Sequence, residues 1–134
     1  MVGNPPAQSA KSVLIVEDNA LNLKLLHDVL EYHGYLLLTT GSGEAAIEIA
    51  RQHRPDLILM DIQLPDISGM EATRRLKADE QTRAIPIIAV TAFAMDGDRA
   101  MILGSGCDAY VAKPFNLVEF LQLVSRYTQD PDPR

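Results

Sequence analysis

The chain is poor in thiols, in long apolar runs and in clustered positive charge, and each shortage closes off a class of protein. Cys107 is the single cysteine, so no internal disulfide is available and a reducing cytoplasm suits the chain. A lone cysteine of this kind is read as a small hydrophobe. No apolar run approaches the roughly 20 residues of a membrane span, and residues 1–11 lack the charged-then-apolar order of a signal peptide. Cytoplasmic residence without a membrane partner is the expectation. Lys and Arg number 12 against 18 Asp and Glu, for a net charge of −6. A nucleic-acid surface needs clustered basic side chains to displace counterions, so nucleic acid is not an expected partner. Neither internal repeats nor a second domain can be discerned.

What is present reads as one domain. The 134 residues carry 47% hydrophobic and 22% charged side chains, ordinary values for a globular fold. Residues 1–11 form a Pro- and Gly-containing lead-in without periodicity, and 128–134 a similar tail; both are expected to be disordered. Between them, over 12–127, strand-like and helix-like segments alternate. The strand-like runs are 12–16, 35–40, 57–61, 85–91 and 109–112. The helical stretches run from Ala20 to His33, from Ser42 to about His53, from about Gly69 to Ala78, from Asp96 to Leu103, and onward from Asn116. Gly34 is a natural stop, and Asn116 a cap with Leu117, Phe120, Leu121 and Val124 inward. Arg74, Arg75 and Lys77 are expected to face outward. Five strands alternating with five helices imply a parallel sheet covered on both faces.

The run Leu57-Ile58-Leu59-Met60-Asp61 is apolar without alternation, as in a strand buried on both faces. It meets a carboxylate and then Pro65, which forbids continuation as a ladder member. Three other apolar strands also end in polar residues, at Glu17-Asp18, Thr91 and Lys113. In a parallel sheet these ends share one edge, where open α/β folds place their ligands. Crowded acids repel unless a cation joins them, and a hard oxygen site of this kind suits Mg²⁺. A lysine beside it would stabilise the oxygens of a transferring phosphoryl group, Thr91 would donate its hydroxyl to one of them, and Asp61 is chemically able to form an acyl phosphate.

The segments Val16-Glu17-Asp18-Asn19, Met60-Asp61-Ile62-Gln63-Leu64-Pro65, Val90-Thr91-Ala92 and Ala112-Lys113-Pro114-Phe115 resemble those of response-regulator receiver domains. The likeness covers nearly all of 11–127. It implies a flavodoxin-like (CheY-like) doubly wound sheet of order 2-1-3-4-5, and a phosphoryl group accepted from a sensor histidine kinase or histidine phosphotransfer protein. Carried over by position, it implies that Glu17, Asp18 and Asp61 serve Mg²⁺ with the Gln63 backbone carbonyl, and that Asp61 is the phosphoacceptor. Thr91 and Lys113 would bind phosphoryl oxygens, Thr91 and Tyr110 would form the switch, and the Lys113–Pro114 peptide would be cis. The stretches around Leu26-His27-Asp28, 60–69, 89–95 and 106–110 are similar to the DivK type of single-domain regulator. Phe115 follows receivers in general rather than that subgroup.

The resemblance implies a stand-alone regulator of a bacterial phosphorelay, not an enzyme, whose output is binding. Two alternatives stay open: a receiver excised from a hybrid histidine kinase, and a pseudo-receiver that is not phosphorylated. An aspartyl-phosphate phosphatase would need a second Asp two residues past Asp61, where Gln63 stands. A nucleotide binder would need a phosphate loop where Glu17-Asp18-Asn19 stands. His27, His33 and His53 lack a partner pattern and are read as surface residues. Tyr110 has a packing role as its alternative. Phe93 either shields the acyl phosphate or faces a partner together with Met95.

Overall fold

The computed structural model describes residues 10–91, 96–113 and 116–128. The readings placed on 1–9 and 129–134, on Phe93, Met95 and Phe115, and on the Lys113–Pro114 peptide lie outside the described residues. Five strands alternate with five helices among those described: β1 (Ser12–Val16), α1 (Ala20–Tyr32), β2 (Leu36–Thr40), α2 (Gly43–His53), β3 (Leu57–Asp61), α3 (Gly69–Ala78), β4 (Ile87–Thr91), α4 (Asp96–Gly104), β5 (Ala109–Ala112) and α5 (Leu117–Thr128). All strand pairs are parallel, in the order β2-β1-β3-β4-β5.

This order follows from the side chains. Every residue of β3 and β4 is buried, whereas β2 mixes partly buried with exposed residues and β5 is partly buried throughout. Runs rich in Leu, Ile and Val belong in the middle, where each fully buried side chain contributes about 1.5–3 kcal/mol. The pleat sends Leu14, Ile58, Met60 and Ile87 to one face, against Ala46 and Ala50 of α2, Ala72 and Leu76 of α3, and Ile102 of α4. Val13, Leu57, Leu59 and Ile88 point to the other, against Leu26 and Leu30 of α1 and Phe120 and Val124 of α5. From β1 the chain passes outward to β2, then returns across β1 to β3. The crevice between β1 and β3 is thus the switch point of the sheet.

Side-chain caps set the helix starts: Asn19, Ser42 and Ser68 accept the Asn22, Ala45 and Glu71 N–H groups, and Asn116 accepts that of Glu119. Gly34, at φ +92°, takes the left-handed turn that ends α1. Cys107 is buried, with its thiol toward the Ile102 carbonyl at 3.1 Å.

Several local expectations are corrected. β4 begins at Ile87 rather than Ile85, because Ile85 N–H closes a turn on Thr82 O. Leu117 stands in the first turn of α5 and is 42% exposed, so the inner face begins at Phe120. Lys77 does not face outward: its ammonium donates to the Arg83 carbonyl (3.2 Å), the Ile85 carbonyl (2.9 Å) and Asp108 Oδ2 (3.1 Å). A helical repeat assigns it to the outer flank, yet its long stem reaches the loop entering β4.

Candidate functional site

The ladder runs one residue past β1 and β4–β5, through Glu17 N–H to Thr40 O (2.9 Å) and Lys113 N–H to Thr91 O (2.7 Å). Those bonds carry Glu17 and Lys113 to the same edge as Asp61. Glu17 and Asp61 are buried, Asp18 is exposed and Thr91 is fully buried. One carboxylate oxygen from each of Glu17, Asp18 and Asp61 lies within 4.8 Å of the other two. Lys113 Nζ sits 3.0 Å from Glu17 Oε1 and 3.8 Å from Asp61 Oδ2. Glu17, Asp18, Asp61 and Lys113 therefore meet within one crevice, with Thr91 joined to Lys113 through the backbone, while Tyr110 stands apart. It lies beside Ala89, half-buried against the face carrying α2, α3 and α4. Thr91 is two residues along β4 from Ala89, so the pleat puts Thr91 and Tyr110 on that same face.

The electrostatics of the crevice are unbalanced. Burial raises the Asp61 pKa from its ordinary 3.8 to about 7; the hydrogen-bonded Glu17 carboxyl and its charge add to this, and the Lys113 ammonium and Gln63 N–H pull it down. Gln63 N–H donates to Asp61 Oδ1 at 3.2 Å, and Asn19 N–H to Glu17 Oε2 at 3.1 Å. Three carboxylates therefore face one ammonium, with hard oxygen donors on the buried wall and a water-exposed one at the rim. Such a donor set fits an oxygen-seeking divalent cation that keeps some of its water, as Mg²⁺ does.

Two residues of this neighbourhood escaped the sequence reading as site elements. A Cβ built on Gly69 would lie 2.1 Å from the Asp61 carbonyl oxygen and 2.9 Å from Ile62 Cα, so α3 starts directly on the backbone of Asp61. Gly69 N–H also donates to Ile62 O at 2.8 Å. Asp66 accepts Ser42 Oγ–H (2.7 Å), Gly43 N–H (2.9 Å) and Glu44 N–H (2.9 Å). Those bonds, Glu44's first, hold its carboxyl far below the usual range. The available signals were a glycine opening a helix and an Asp after a proline, each of which has commoner meanings.

The family described as response regulator receiver domain matches residues 13–125. Over 120 residues the chain is 54% identical to the polar-differentiation response regulator DivK of Brucella ovis, covering 90% of this chain and 98% of that protein. Among solved structures, the receiver domain of a sensor histidine kinase from Pseudomonas aeruginosa PAO1 is 39% identical at a TM-score of 0.83, covering 89% of this chain and 98% of that one. It holds a magnesium ion coordinated in its active-site cleft. The receiver domain of Ssk1, solved with the phosphotransfer protein Ypd1 of Saccharomyces cerevisiae, is 31% identical at a TM-score of 0.82, with 90% of each chain covered. No helix of the described residues is long and apolar enough to cross a membrane. A β1–β3 crevice lined with acids and one lysine, on a sheet of this order, agrees with those likenesses: the chain belongs to the response-regulator receiver-domain family and is DivK-like within it.

Proposed function

We propose that the protein is a stand-alone phosphoacceptor of a bacterial phosphorelay, in which Asp61 takes a phosphoryl group from a sensor histidine kinase or a histidine phosphotransfer protein. The observation that carries this reading is the meeting of Glu17, Asp18, Asp61 and Lys113 in one crevice. An Asp61 carboxylate oxygen forms the new O–P bond while the donor's N–P bond breaks, and the imidazole nitrogen keeps the electron pair. Glu17, Asp18, Asp61 and the Gln63 carbonyl would hold Mg²⁺, which when bound supplies positive charge to the phosphoryl oxygens. The Lys113 ammonium, 3.8 Å from Asp61 Oδ2, is within a small rotation of a phosphoryl oxygen carried there. Thr91 donates its hydroxyl to another. Deprotonation of Asp61 is required for attack, and the Lys113 charge favours it.

The added charge on Asp61 draws Thr91 inward, and Tyr110, on the same face of the sheet, turns with it. The output is then altered binding by the surface of α4, β5 and α5. DivK of Brucella ovis is named for polar differentiation, and control of cell division is the process this likeness favours. A second reading, a receiver belonging to a hybrid kinase, is favoured by the solved Pseudomonas domain. The match to nearly the whole of DivK supports the first.

Mass spectrometry after acetyl phosphate with Mg²⁺ tests the acceptor. One labile phosphate is expected on the wild type and none on Asp61→Asn; phosphate persisting on that variant overturns the assignment. Capture of partners by phosphorylated wild type and by Asp61→Asn then separates a phosphate-dependent output from a pseudo-receiver.

A further inference from the structure

The loop that follows the acceptor, residues 62–68, is fastened at two points. At its base, Gly69 N–H donates to Ile62 O at 2.8 Å, and the absent Gly69 side chain lets α3 touch the Asp61 carbonyl. At its tip, Asp66 takes three donors from the start of α2. Gln63 lies between the two fastenings. The approach at the tip is close enough that a Cβ on Gly43 would stand 2.7 Å from Ile67 Cγ1 and 3.2 Å from Ile67 O.

The same short segment of chain also touches the other acidic loop. Thr40 O accepts Glu17 N–H, and a Cβ on Gly41 would stand 3.2 Å from Asp18 Cα. Ser42 N–H donates to Thr40 Oγ1 at 3.2 Å before Ser42 Oγ–H donates to Asp66. Residues 40–44 thus bridge the loop bearing Glu17 and Asp18 to the loop bearing Gln63.

We infer that Asp66 is a positioning residue for the metal: its bonds to Ser42, Gly43 and Glu44 lock the two acidic loops into the separation that a single cation can span. Asp66 does not itself touch the site; it acts through the bridge, and its role rests on the Mg²⁺ reading above. A carboxylate suits this post because charge-assisted bonds to two backbone N–H groups and a hydroxyl are short and hard to exchange for water. Outer residues that orient metal ligands commonly govern affinity by about 10–100-fold.

Calorimetric titration with Mg²⁺ alone, at pH 7.5 and fixed ionic strength, reads the effect. Asp66→Ala is expected to raise the Mg²⁺ Kd about tenfold, and Asp66→Asn, which keeps one acceptor oxygen but no charge, by clearly less. Ser42→Ala leaves both backbone bonds to Asp66 in place and is expected to have a smaller effect. Combined with Asp66→Ala it should add nothing further, since both changes cut one link. Hydrogen exchange at the Gly43 and Glu44 amides should quicken in proportion to the lost affinity. If Asp66→Ala does not fold, Asp66→Asn and Ser42→Ala carry the test. Equal losses in Asp66→Asn and Asp66→Ala would reveal a through-space charge effect and overturn the bridge. So would an unchanged Kd in all three variants while Asp18→Asn weakens binding. If Asp18→Asn leaves Mg²⁺ affinity untouched, the metal reading itself fails, and the bridge with it.

Discussion

At the amino edge of the sheet each carboxylate has its donors. Asp56 accepts Ser12 N–H at 2.8 Å and faces the Ser12 hydroxyl at 3.3 Å, while Asp108 accepts Ile87 N–H at 2.8 Å and the Lys77 ammonium at 3.1 Å. At the opposite edge, Glu17, Asp18 and Asp61 share one ammonium, and the innermost acid has its pKa pushed up to about 7. The same sheet ends in a sealed seam on one side and in incompletely balanced acids on the other. The seam ties strand starts to the segments that precede them and contributes stability. The charged crevice crowds three acids around one ammonium and costs stability for it.

Four changes separate the two edges. The largest effect is expected from Asp61→Asn, which should abolish labelling by acetyl phosphate, whereas Asp108→Asn at the other edge should be labelled at the wild-type rate. Gly69→Ala should rank second. Its methyl must displace the Asp61 backbone, so unfolding by urea should show a loss of about 2–3 kcal/mol, together with weakened Mg²⁺ binding. Wild-type stability in Gly69→Ala would mean that α3 can retreat from the Asp61 backbone at no cost.

Asp108→Ala comes third. It strips the acceptor from Ile87 N–H and one of three from Lys77, and about 1–2 kcal/mol should be lost. Mg²⁺ affinity should stay unchanged, because the seam and the crevice lie at opposite ends of the strands. A parallel loss of metal affinity would show that the edges are coupled.

The fourth change concerns pH. Asp61 has a folded pKa of about 7, above its ordinary 3.8. The stability associated with its protonated form is therefore fully present below pH 3.8 and lost as pH rises through about 7. Thermal melts should accordingly show Asp61→Asn gaining on the wild type between pH 5 and 8, with the gain shrinking when Mg²⁺ is added. A constant difference across that range would mean that Asp61 is already ionised at pH 5.

Much of this molecule is legible in one dimension. Uninterrupted Leu, Ile and Val runs report burial on both faces, and their alternation with amphipathic stretches reports a parallel sheet, because parallel strands need helical crossovers. Polar residues ending those runs must share an edge, which is why Glu17, Asp18, Asp61, Thr91 and Lys113 form a set in the sequence itself. Periodicity was weaker wherever a side chain is long or lies at an element's end. Lys77 reads as an outward residue until its stem is seen to reach the carbonyls of Arg83 and Ile85, and Leu117 as an inward one until α5 is seen to meet the sheet a turn later.

Tertiary structure alone decided the fastenings of the acidic loops. Asp66 meets Ser42, Gly43 and Glu44 across more than twenty positions of chain, and no local pattern marks a carboxylate that caps a helix other than the one it precedes. The need for glycine at 69 arises because the backbone of Asp61 and Ile62 occupies the volume a Cβ would fill, and at 43 because the Ile67 side chain crowds it. Likewise, the raised pKa of Asp61 follows from burial beside Glu17, a neighbour supplied by another strand. Local sequence determines which residues reach an edge; the distances between loops that meet there depend on packing from both sides of the sheet.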